Sequence, residues 1–103
     1  MSIKELEEAA LRHLARYATS AENLRRVLMR RLARAAPARG QGETQARKEI
    51  DALLARFRSA GLLDDRAYAE AVVRTQRRRG ASGPAIRARL AAKGVDRQTI
   101  DAV

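Results

Sequence analysis

The sequence predicts an all-α protein built from tandem three-helix repeats, elongated, with the second repeat incomplete. Three observations predict it. Apolar residues recur at steps of three and four along most of the chain, and no segment alternates with period two. Caps and breakers fall at intervals that separate short helices. The chain also lies over itself. Ser20-Ala21-Glu22-Asn23-Leu24-Arg25-Arg26-Val27-Leu28 matches Ser82-Gly83-Pro84-Ala85-Ile86-Arg87-Ala88-Arg89-Leu90 at an offset of 62, and Ile50-Asp51-Ala52-Leu53 matches Ile100-Asp101-Ala102-Val103 at an offset of 50. The difference of 12 falls on a Pro/Gly-rich connector, which reads as an insertion in the first copy.

Each helix has its own local reason. Ile3, Leu6, Ala10, Leu14 and Tyr17 form one stripe over residues 4–17. Thr19-Ser20 interrupts it and offers a hydroxyl N-cap to a second helix, which runs to about Ala35 and buries Leu24, Val27, Leu28 and Leu32. The connector at 35–42 is flexible by composition. A third helix begins near Glu43 or Thr44, with Ala46, Ile50, Leu53, Leu54 and Phe57 inward. Gly61 stands at its C′ position, and Leu62-Leu63 packs beneath that turn. Asp64 or Asp65 caps a fourth helix with Tyr68, Ala71, Val72 and Thr75 inward, ended by Gly80. Ser82-Gly83-Pro84, a cap followed by a first-turn proline, opens a fifth helix through Ile86 and Leu90. A sixth starts at Val95-Asp96 and holds only Ile100 and Val103 of its stripe. The first repeat is therefore 4–63, with a flexible insertion at about 35–43. The second is 64–103, cut short in its last helix. Repeat units bury their apolar faces against neighbours, so the open C-terminal end is expected to allow weak self-association of an otherwise monomeric chain.

Composition narrows the function. The 103 residues carry a formal charge of +10 and no cysteine, which excludes disulfides and thiolate metal sites. No apolar run approaches the ~20 residues of a membrane span, and the acidic start Met1-Ser2-Ile3-Lys4-Glu5 is unlike a signal peptide. A cytoplasmic setting is the expectation. Nineteen of the 22 basic residues are arginine, a bias that codon usage alone can produce. Their distribution argues otherwise. Residues 24–42 hold six arginines and no acid, and residues 71–93 hold six arginines and Lys93, again with no acid. Segregated positive charge points to a polyanion or an acidic groove on a partner.

The segment Gly61-Leu62-Leu63-Asp64-Asp65-Arg66-Ala67-Tyr68-Ala69 resembles the signature of the RecX family, in which a helix ends in Gly-Leu-Leu-Asp-Asp and an aromatic residue and an alanine follow. Downstream, the arginine run, Gly80, Pro84, Ile86, Leu90 and Lys93-Gly94-Val95 stand in the family's order. Upstream, Ala10 to Leu32 resembles its first unit. The resemblance implies a non-enzymatic three-helix repeat protein that binds the RecA recombinase and its nucleoprotein filament on single-stranded DNA. It implies modulation of that filament, usually inhibition, and so a role in DNA repair, recombination and the SOS response, with no cofactor. The family normally carries three repeats. The third is absent here, and the insertion at 35–42 is longer than the family's usual link.

Within this frame Arg25, Arg26 and Arg30, and Arg74, Arg77, Arg78 and Arg87, are the candidate partner- or DNA-binding residues, because none has a local acid to pair with. Whether they meet DNA, RecA or both stays open. Arg12, Arg16, Arg56 and Arg58 have acids nearby and read as a solvated surface. Arg31 and Lys93 lie along the apolar face with their charged heads reaching water. Gly61, Leu62, Leu63, Asp64, Asp65 and Tyr68 are structural, the two acids being caps rather than metal ligands. His13, the single histidine, reads as a packing or surface residue, and Tyr17, Phe57 and Tyr68 as core. No residues suggest catalysis or metal binding. Two other function classes stand beside the family reading. One is a non-specific nucleic-acid chaperone acting by charge. The other is a helix-turn-helix DNA module over Ile86–Ile100, whose would-be recognition helix offers only Arg97, Gln98 and Thr99.

Overall fold

A computed structural model of the chain describes residues 2–35 and 40–103. They form six α-helices and no strand: α1 (Ile3–Arg16), α2 (Ala21–Ala35), α3 (Gly40–Ser59), α4 (Asp65–Arg78), α5 (Gly83–Ala92) and α6 (Arg97–Ala102). Helices α1, α2 and α3 pack on one another, as do α4, α5 and α6. The result is two three-helix bundles measuring 44 × 27 × 24 Å together, with a radius of gyration of 15.1 Å. A compact domain of this length has a radius of about 13 Å, so the molecule is elongated.

The helix ends follow the side chains available to close them. Ser2, Asp64, Ser82 and Asp96 each accept the backbone N–H three residues on, and so cap α1, α4, α5 and α6. Ser20 does the same for α2 through Asn23 N–H at 3.1 Å. At the end of α3 the N–H of Leu62 donates to Phe57 at 2.8 Å and that of Gly61 to Arg58 at 3.1 Å. These are the paired bonds of a Schellman turn, which requires the positive φ of +78° found at Gly61. The turn drops Leu63 into the core and leaves Leu62 51% exposed. Only one of the two leucines expected beneath it is buried.

The first core joins Leu6, Ala9 and Ala10 of α1 to Leu24 and Leu28 of α2 and Ile50, Leu53, Leu54 and Phe57 of α3. Each large side chain buried there stabilises the bundle by roughly 1.5–3 kcal/mol. The second core is smaller, with Ala69, Ile86, Leu90, Val95 and Ile100 at its centre and Tyr68, Val72, Val73 and Val103 against them. A cavity of about 150 Å³ remains among Val73, Ile86, Leu90, Ile100 and Val103. In the first bundle the equivalent helix continues past this register with Leu54 and Phe57.

Three expectations are corrected. Tyr17 is not core but 56% exposed. Helix α1 stops at Arg16 and Tyr17 is extended (φ −132°, ψ 132°), so its side chain leaves the helical stripe. On α4 the fully buried residue is Ala69, with Ala71 and Thr75 only half-buried. The buried stripe is turned from the expected one because both α5 and α6 pack on this helix. Helix α3 starts at Gly40 rather than near Glu43. Once nucleated, a helix adds one bond for each further residue fixed. Residues 36–39 of the expected connector lie outside the described residues.

Candidate interaction surface

The two bundles are joined at helix ends. The Asp65 carboxylate reaches out of α4 to accept the N–H of Ala21, the first residue of α2, at 2.8 Å. The Ser20 hydroxyl, fully buried, donates to the carbonyl of Lys93 after α5. Arg26 donates from Nη1 to the carbonyl of Ala92 at 2.7 Å. Gly94, at φ +77°, lies so close to α2 that a Cβ there would stand 2.5 Å from both Cβ and Cγ of Glu22. The amino end of α2 thus sits on the carboxyl end of α5, where unsatisfied carbonyls and the helix dipole attract donors and cations. Of the two signature acids, Asp64 caps its own helix and Asp65 caps the helix of the other bundle.

This joint assigns Arg26. It is exposed, as expected of a solvent-facing residue, and it also fastens one bundle to the other. Arg25 and Arg87 are also spoken for. Arg25 Nε binds Asp51 Oδ1 at 2.8 Å, with Glu22 at 3.6 Å from Nη1. The Asp51 hydrogen bond is the main reason its pKa is raised further. Arg87 pairs with Asp101, whose pKa it pulls below the usual carboxylate value. Sequence proximity hid these partners: Asp51 is 26 positions from Arg25, and Asp101 is 14 from Arg87. The two pairs occupy equivalent places in the two repeats, each tying the repeat's second helix to its third.

Arg30, Arg74, Arg77 and Arg78 remain. All four are exposed, and none has an ion pair or hydrogen bond among the described residues. Arg74, Arg77 and Arg78 share the last turns of α4. Arg56 is held by Glu7 of α1 at 2.6 Å, in keeping with a structured surface. Gly61, Leu63, Asp64, Asp65 and Tyr68 build the passage from one bundle to the next, Tyr68 half-buried on the second core. Burial also pushes its hydroxyl pKa up. Among the described residues no group of acids, histidines or cysteines could hold a metal ion, and no helix is long and apolar enough to cross a membrane. The turn of the helix-turn-helix alternative, Lys93-Gly94-Val95-Asp96, packs on α2, and the helix after it has six residues.

Two capped bundles, joined end to end and carrying unpaired arginines outward, define a basic tandem three-helix repeat protein. Residues 64–103 match the family described as RecX, second three-helix domain. Over 95 residues the chain is 38% identical to the regulatory protein RecX of Myxococcus xanthus (strain DK1622), an alignment covering 92% of this chain and 51% of that relative. The chain belongs to the RecX family. It spans about half the length of that relative. No solved structure matches it.

Proposed function

We propose that this chain regulates a RecA recombinase by binding the filament that RecA forms on single-stranded DNA and restraining its activity. The observation that carries this reading is the set of unpaired arginines, Arg74, Arg77 and Arg78 on α4 and Arg30 on α2, on two bundles locked by shared caps. A filament repeats its anionic surface at fixed intervals. Two basic faces held at one spacing engage such a polymer together, and the second contact is then made at high effective concentration. Guanidinium groups suit both DNA phosphates and carboxylates on protein, so either wall of a filament groove can receive them. Arg25, Arg26 and Arg87 each have a partner within the chain and are left out of this set.

The test is an anisotropy titration of labelled filament, bare single-stranded DNA and free RecA, alongside the recombinase's ATPase and strand-exchange activity. Filament should bind more tightly than either component, with activity falling as sites fill. Equal affinity for bare DNA and filament would instead favour the non-specific chaperone, for which the net charge of +10 speaks.

A further inference from the structure

Away from the joint, α1 and α2 form an open pocket of about 430 Å³ that the regulatory reading does not use. Its rim carries Arg12, Arg16 and Arg31, its wall His13 and Tyr17, and its floor Leu28. No acid lines it. Tyr17 and His13 stack at a tilt, with ring centroids 5.0 Å apart, while more than half of Tyr17 stays in solvent. The His13 Nε2 is buried with no hydrogen-bond partner among the described residues. Three arginines with no ion pair among the described residues and an exposed ring therefore converge on one open pocket, with the His13 ring in its wall.

We propose that this pocket binds a nucleotide, with its phosphate among Arg12, Arg16 and Arg31 and its base on Tyr17. Planar guanidinium forks match phosphate oxygens bidentately. An aromatic face accepts any base by stacking. The cavity falls in the usual size range for small-ligand pockets. An inorganic anion leaves the ring unused, and an apolar ligand leaves three guanidinium groups unanswered. Burial and then the charge of Arg30 on α2 hold the His13 pKa below 6.5. A phosphate arriving among the arginines offsets the Arg30 charge and so draws the His13 pKa back up as the ligand binds. The nucleotide is either free or one unit of a single strand, and nothing in the site depends on a recombinase.

The test is an NMR titration of the whole chain with four ligands: thymidine monophosphate, a thymidine tetranucleotide, inorganic phosphate and a tetraglutamate peptide. Both thymidine ligands should shift the His13 and Tyr17 ring signals and raise the His13 pKa. Similar affinity for the two assigns a free nucleotide, and much tighter tetranucleotide binding assigns a strand. Tyr17→Leu should weaken either by roughly 5- to 100-fold, the usual cost of losing one stacked base, and Arg31→Gln by about tenfold. Arg74→Gln should leave these shifts in place even where it impairs filament binding, which separates this site from the regulatory surface. The proposal is overturned if the ring signals do not move, or if phosphate or tetraglutamate binds as tightly as thymidine monophosphate.

Discussion

Asp65 accepts the backbone N–H of Ala21 at 2.8 Å across 44 positions of sequence, so one residue of the Gly-Leu-Leu-Asp-Asp segment closes a helix in the other bundle. Its neighbour Asp64 does the local work, accepting from Ala67 at 3.0 Å. Asp64→Ala and Asp65→Ala should each cost about 1 kcal/mol, as lost caps do. They should differ in place. Amide exchange should accelerate in the first turn of α4 for Asp64→Ala and in the first turn of α2 for Asp65→Ala. Acceleration in α4 for both variants would remove Asp65 from the joint.

Gly94 and Gly61 share a positive φ but not a neighbourhood. A Cβ at Gly61 meets nothing within 4 Å, whereas at Gly94 it collides with the Glu22 side chain near its root. Gly61→Ala should cost about 1 kcal/mol from backbone strain alone. Gly94→Ala should cost clearly more, because α2 must also back away from α5. Urea unfolding of the two variants compares them directly.

Arg26 and Arg30 separate joint from surface. Arg26→Ala leaves the Ala92 carbonyl without its donor and should destabilise by ~0.5–1.5 kcal/mol. Arg30→Ala should stay within about 0.5 kcal/mol of the parent while weakening filament binding. A melt that falls equally for both would show Arg30 to be structural as well.

How far the sequence revealed this division depends on where each partner lies. Ser20, Asp64, Ser82 and Gly61 were legible because a cap's partner sits three to five residues away. The α3 stripe from Ala46 to Phe57 was legible because one helix period specifies it. The partners Asp51 of Arg25 and Asp101 of Arg87 were not legible because they come from helices that fold back, whereas Glu22, three residues before Arg25, was within reach of the sequence. The partner of Arg26 was not legible because it is a main-chain carbonyl, which no residue type advertises. Tyr17 was misplaced by one residue of helix length.

His13 makes stability depend on pH in a defined direction. Burial, then Arg30, lowers its folded pKa below the ordinary 6.5, so as pH falls the unfolded chain takes up the proton first. The contribution is fully present above pH 6.5 and is lost as pH drops from there through the folded pKa. Denaturation midpoints should therefore decline between about pH 7 and 5, and His13→Gln should flatten that decline. Asp96 and Asp101, both with lowered pKa values, act in the same direction but only at more acid pH.

Arg74, Arg77 and Arg78 should carry the salt dependence. If they and Arg30 neutralise ~4 phosphates of a single strand, log K against log salt should slope at roughly −3. Arg74→Gln, Arg77→Gln and Arg78→Gln combined should bring the slope near −1 with little change in the circular dichroism melt. An unchanged slope would move the contact elsewhere.

The joint has an asymmetry in what mutation can reach. In each of its three hydrogen bonds one partner belongs to the main chain: the amide of Ala21 and the carbonyls of Ala92 and Lys93. Ala92 and Lys93, which are not buried, can change side chain and still offer the same carbonyl, whereas Ala21 is also held small by the core around it. Ser20, Arg26, Asp65 and Gly94 supply the side-chain half of these contacts, so a change at any of these four letters reaches the way the bundles sit together.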